Sequence, residues 1–243
     1  MSGLLILALA PVFIIAFYVY FRDKYEKEPW PNLLLALLVG VLVAFPVLFV
    51  EQFLGFLGGW TTGIFEAAWQ SFIVASLSEE GFKMLAVFFL IWKSKEFNEK
   101  FDGIIYGCFV SLGFAGIENV VYVLQKGYTT GLARALTAVP AHAFFGISMG
   151  YFVGLAKFYP KKQKKFIRYA FLLPFCLHGF YDFILMSRIN ILLLIFIPFM
   201  IYMGISGLKK MKELNDSSYY RNDLHIGIDF KKVKDYKSDS TEN

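Results

Sequence analysis

The chain has 243 residues, of which 57% are hydrophobic, 19% aromatic and 18% charged, with a mean hydropathy of +0.55 and a formal net charge of +5. Apolar content at this level excludes an ordinary soluble domain. The basic excess lies in short loops and the tail, which fits membrane orientation and excludes nucleic acid as a partner.

Seven apolar stretches follow one another, at about 2–21, 32–57, 63–92, 102–124, 131–156, 166–187 and 189–208. A bilayer crossing needs about 20 apolar residues, so each is read as a transmembrane helix. The first has no basic n-region and no small-x-small cleavage site, which makes it a span and not a signal peptide. Cys108 and Cys176 sit inside apolar runs and are read as small buried residues, not a disulfide. The expected fold is an all-α, polytopic transmembrane helix bundle of about seven spans over residues 1–208.

Loop charges set its orientation. Arg22, Lys24 and Lys27 follow the first span, and 58–62 after the second has no basic residue. Lys93, Lys95 and Lys100 follow the third, and Lys126 and Arg134 the fourth. Lys161, Lys162, Lys164 and Lys165 lie in the next loop, Arg188 alone after the sixth span, and Lys209, Lys210 and Lys212 after the last. By the positive-inside rule the N-terminus is outside and the C-terminus cytoplasmic. The cluster at 161–165 reads as part of that signal before it reads as a lipid-headgroup site. Residues 209–243, which include His225, read as a cytoplasmic tail with little stable fold.

Charge inside a span is costly, so it marks function or a pairing partner. The third span carries Glu79, Glu80 and Lys83, the fourth Glu118, the fifth His142 and the sixth His178 and Asp182. Counted with helical rise, these positions share the zone from the bilayer midplane to its outer face. One hydrated cavity between helices accounts for that coincidence. Glu51 and Glu66 fall near the outer interface and are left out. Glu79 and Lys83 are four apart and Glu80 and Lys83 three apart, so either carboxylate can pair with the ammonium; His178 and Asp182 share a face. Glu79 and Glu80 point about 100° apart, which suggests that one faces the cavity while the other pairs. Gly103 and Gly107, and Gly146, Gly150 and Gly154, form small-residue stripes suited to close helix packing. Pro140 and Pro174 precede the two histidines closely and are expected to free backbone carbonyls near them.

Three chemistries suit this set. A carboxylate can act as general base toward water while a histidine or protonated acid stabilises an oxyanion, giving peptide hydrolysis. His142, His178 and Glu118 can hold a divalent metal such as zinc, although no H-E-x-x-H is present. The same residues can form a proton or ion relay without hydrolysis. Ser76, Ser78, Ser111 and Ser148 lie in no nucleophile-elbow pattern.

The blocks E79-E80-x-x-K83, D102-G-I-I-Y-G-x-x-V-S-L-G-F114-x-x-x-E118-N119 and H178-G-x-Y-D182, in this order on successive spans, resemble the PrsW family of membrane proteases. The loop R22-D-K-Y-E-K-E-P29 and the segment P140-A-H142 fit the same pattern. The resemblance implies a bacterial cell-membrane protease that makes the first cut in a single-span, membrane-anchored anti-sigma factor, leading to release of an extracytoplasmic-function sigma factor in a stress response. It implies that Glu79 and Glu80 activate water, that Glu118 and His178 hold the water or the carbonyl, and that His142, Asp182 and Lys83 support them. More distantly the layout is similar to the CAAX prenyl endopeptidases and bacteriocin-immunity membrane proteases, which have His in place of Glu118 and Asn in place of Asp182.

Overall fold

The computed structural model describes residues 2–221, all of whose regular structure is helical. Six helical stretches among them are long and apolar enough to cross a membrane. Helix α1 spans Ser2–Arg22, α2 Trp30–Leu57, α5 Lys100–Lys126, α8 Gln163–Met186 and α9 Asn190–Asp216. The sixth stretch joins α6 (Tyr128–Leu136) to α7 (Ala138–Phe158). The expected third span is present as a helical run in three pieces: α3 (Gly63–Ala68), a π-helical segment Trp69–Ser76, and α4 (Leu77–Ile91).

Two of these breaks have local causes. A proline ring collides with the carbonyl four residues earlier and supplies no N–H. Pro140 therefore cannot continue a helix through Leu136, which is where α6 stops, and it lies instead in the first turn of α7, where a missing N–H costs little. Pro140 has no N–H to offer the carbonyl of Leu136, and Pro174 lies inside α8. In the π segment Trp69 Nε1 donates to the carbonyl of Leu54 (2.9 Å) and Ser76 Oγ to that of Phe175 (2.6 Å), so α2 and α8 hold the widened turn from both sides. Such π turns are frequent at functional sites, and this one delivers the chain directly into Glu79 and Glu80.

Helices α5 and α7 form the centre. Every residue from Phe101 to Gly116 is buried. Gly103 and Gly107 face Gly146, Gly150 and Gly154, and a Cβ on any of these five would strike the facing backbone or side chain. This is the small-residue packing that lets two membrane helices approach closely. Around the pair stand α1, α2, α4, α8 and α9. Their outward faces carry Ile6, Phe13, Phe49, Phe53, Ile197 and Ile201, all exposed, as a surface in contact with lipid tails requires.

Helix α9 does not end at 208. It runs through Lys209, Lys210 and Lys212 to Asp216, because Met211, Leu214 and Asn215 are buried against the bundle while Lys209 and Lys212 are exposed. Asn215 Nδ2 donates to the carbonyl of Arg22 (2.9 Å), and Ser218 Oγ donates to Glu99 Oε2 (2.5 Å). The end of α9, the α1–α2 loop and the start of α5 thus close one end of the bundle. His225 lies outside the described residues.

Candidate active site

Glu79, Glu80 and Lys83 lie in the first two turns of α4, immediately after the π segment. The Lys83 ammonium donates to Glu79 Oε2 (2.9 Å) and Glu80 Oε1 (2.8 Å) and lies 3.1 Å from His142 Nδ1. It also sits 4.2 Å from the centre of the Phe114 ring. The sequence suggested that one glutamate pairs and the other faces the cavity. Both pair, because the flexible lysine stem brings one ammonium between them. They differ in access: Glu80 is fully buried, while Glu79 reaches the cavity wall.

The two histidines repeat one arrangement. His142 turns Nδ1 inward to Lys83 and Nε2 outward to Glu118 Oε2 (3.0 Å). His178 turns Nδ1 inward to Glu80 Oε1 (2.9 Å) and Nε2 outward to Asp182 Oδ2 (3.2 Å). The rings are 5.3 Å apart, and Phe145 stacks on His178 at 4.8 Å. Because a lysine ammonium only donates, His142 accepts at Nδ1 and donates from Nε2 to Glu118. Each imidazole is thus oriented by a carboxylate on its outer nitrogen.

All seven expected residues, Glu79, Glu80, Lys83, Glu118, His142, His178 and Asp182, form one connected group. A cavity of about 360 Å³ opens beside it, with Glu79, Glu118, His142, His178 and Asp182 in its wall. Two further charged residues line the same cavity. Arg134, on α6, places Nη2 2.9 Å from Glu118 Oε2 and donates from Nε to Asn119 Oδ1 (3.0 Å). Glu51, near the end of α2, lies opposite. Glu66 is exposed on α3 and takes no part in the lining. No local signal pointed to Arg134, which lies on α6, outside the expected cluster, yet lines the cavity. For Glu51 the signal was its position inside an apolar run. Ser76 and Ser78 bond backbone carbonyls, which leaves neither hydroxyl as a nucleophile.

The donor set suits a divalent metal. Glu79, Glu80, His142 and His178 each offer a ligand atom, all within 4.8 Å of one another. Carboxylates on the outer nitrogens of both imidazoles match the second layer that usually orients metal-binding histidines. Of the expected ligands, His142 and His178 belong to this group of four, and Glu118 touches the outer nitrogen of His142. Glu80 Oε2 is buried without a hydrogen-bond partner. Glu79, Glu80, Glu118 and Asp182 outnumber the two permanent cations, Lys83 and Arg134, so protons or a bound cation balance the remainder.

The family model described as PrsW family intramembrane metalloprotease matches residues 28–203. A protein named Protease PrsW from Geobacillus kaustophilus is 41% identical over 189 residues, covering 77% of this chain and 82% of its own. Its namesake from Oceanobacillus iheyensis is 35% identical over 218 residues, covering 90% and 99%. That from Bacillus subtilis is 34% identical over 216 residues, covering 88% and 96%. No solved structure matches the chain.

Proposed function

From the premise that the chain belongs to the PrsW family of intramembrane proteases, we propose that it makes the first cut in a single-span, membrane-anchored anti-sigma factor, and that this cut leads to release of an extracytoplasmic-function sigma factor. Membership makes it a multi-pass membrane protease. The substrate class comes from the motif resemblance. The loop charges favour an outside N-terminus, which sets the cavity in the outer half of the bilayer and the cut on the extracytoplasmic side of the substrate's span.

The observation that carries the chemistry is the difference between the two glutamates. Glu79 is the one that reaches the cavity, and it is steadied there by Lys83. In this reading Glu79 removes a proton from water as the water oxygen attacks the scissile carbonyl, and later returns a proton to the leaving amide nitrogen. Glu80 stays buried, holding Lys83 and His178 in register. His178 spends both ring nitrogens on Glu80 and Asp182, so its role is to position these two carboxylates beside the water site. Glu118 and His142 hold the other side of the water site, with Arg134 fixing Glu118. Were a divalent ion such as zinc held by Glu80, His142 and His178, it would supply Lewis-acid polarisation of the carbonyl and the attacking water, with Glu79 left as the base.

The test is cleavage in proteoliposomes that hold the purified protein and a single-span anti-sigma factor from the same cell. Glu79→Gln is expected to lower the rate by about 10²–10⁴-fold. Undiminished cutting by that variant overturns the assignment of the base. A cut mapped to the cytoplasmic side of the substrate's span overturns the orientation, and proton flux without substrate supports a relay instead.

A further inference from the structure

A second set of carboxylates lies at the opposite end of the bundle. Asp102, in the first turn of α5, precedes Glu118 by sixteen residues on the same helix, or about 24 Å at helical rise. Glu26 and Glu28 come from the α1–α2 loop. These three each offer a carboxylate oxygen, all within 4.8 Å of one another. Glu28 is 2% exposed and Asp102 not at all, so carboxyl groups meet here away from water.

Part of each side chain is accounted for. Tyr106 donates to Glu28 Oε2 (2.5 Å), and the N–H groups of Asn98 and Glu99 donate to Asp102 Oδ2 (2.8 and 2.7 Å). The other oxygens, Glu28 Oε1 and Asp102 Oδ1, are buried with no hydrogen-bond partner among the described residues, as is Glu26 Oε2. Next to them Asp23 is wholly buried, and among the described residues neither of its carboxyl oxygens has a hydrogen-bond partner. The Lys27 ammonium bonds the backbone carbonyls of Tyr20 and Asp23, and its charge acts on Asp23 and not on the three. Among the described residues, none of these carboxylates belongs to an ion pair. Buried carboxylates without partners are expensive, and convergent oxygen atoms with free lone pairs are what a hard cation needs.

We infer that Glu26, Glu28 and Asp102 form a binding site for a hard divalent cation of the magnesium or manganese class. The all-oxygen ligand set selects such an ion over zinc, which favours the nitrogen-bearing centre. Glu26 is half-exposed and gives the ion its way in. The cation ties the α1–α2 loop to the start of α5, where Ser218 and Asn215 also anchor the end of α9. It acts on the integrity of this end of the bundle, and the inference is independent of the proteolytic reading.

The experiment is thermal unfolding of the purified full-length protein in detergent, freed of metal by chelator and titrated with Mg²⁺, then with Mn²⁺. A saturable rise in melting temperature is expected in the wild type and in His178→Ala. In Glu26→Gln, which keeps a side-chain oxygen to accept from Asn98, the apparent affinity is expected to fall about tenfold or more. Glu28→Gln should act likewise. The absence of a saturable rise in the wild type overturns the proposal. So does a rise of equal midpoint in Glu26→Gln, and so does one abolished by His178→Ala alone.

Discussion

Lys83 Nζ lies 3.1 Å from His142 Nδ1, and through that contact the ion pairs of α4 are joined to the imidazole–carboxylate pair formed by α7 and α5. The ammonium is fully buried and bonds Glu79, Glu80 and His142 together. It is the structural hub of the site.

Replacing that hub with a neutral group of similar length leaves two carboxylates uncompensated in a dry environment. Breaking a buried ion pair at one partner costs about 3–5 kcal/mol. Lys83→Met is therefore expected to lower stability by that order and to abolish cleavage. Thermal melting in detergent and the cleavage assay measure the two effects. Lys83→Arg is not a rescue, because the planar guanidinium cannot reproduce three convergent bonds from one nitrogen. A Lys83→Met protein that melts like the wild type would show that the pair contributes little.

Asp182 touches the outer nitrogen of His178 and borders the cavity, so its loss disturbs orientation more than packing. Asp182→Asn is expected to keep the melting temperature close to wild type and to reduce kcat by about 10–100-fold, with KM little changed. Steady-state kinetics on a reconstituted substrate separate the two constants. A change confined to KM would assign Asp182 to substrate binding instead.

Much of this site was legible because its links are local. Glu79 and Glu80 with Lys83, and His178 with Asp182, follow from spacings of three and four on a helix, which sequence alone fixes. The shared depth of Glu118 and His142 followed from counting along apolar runs. What escaped depends on long-range folding. Arg134 reads as a loop charge until α6 is packed on α5, which brings it to Glu118, and Glu51 reads as interfacial until α2 is packed beside the π segment. The π turn itself leaves no mark in W-Q-S-F-I-V-A-S, whose apolar pattern suits an ordinary helix equally well. The lysines after 208 suggested an end to the last helix, yet exposed Lys209 and Lys212 are compatible with Met211 and Leu214 buried on the same helix.

The glycine seam between α5 and α7 sets the distance between Glu118 and His142. A Cβ at Gly150 would meet the backbone of Gly103 and Ile104, which cannot yield as a flexible side chain does. Gly150→Ala is expected to destabilise the bundle by about 1–3 kcal/mol, the range for overpacking, and to lower activity by spreading the helices. Gly3→Ala is the control, since its surroundings are open. Melting curves of the two variants side by side decide the matter; equal melting would mean that the seam has slack.

The carboxylates at the other end give the chain a pH dependence of definite sign. Burial, with Glu99 adding to it, pushes the Asp23 carboxyl from 3.8 up to about 8. Burial also pushes Glu28 from 4.5 up to about 7. Both groups keep a proton in the folded chain that the unfolded chain releases above about pH 4, so folding takes up protons in this window. Their stabilising effect is complete below pH 4 and is lost as pH rises through 7 and 8. With chelator present to exclude divalent ions, the melting temperature is expected to fall between pH 5 and pH 8, and Asp23→Asn to make that slope shallower. Added Mg²⁺ should oppose the fall most at high pH, where the carboxylates are free of protons and available to a cation. A melting temperature that rises over the same interval in chelator would reverse the sign and rule out these groups as its cause.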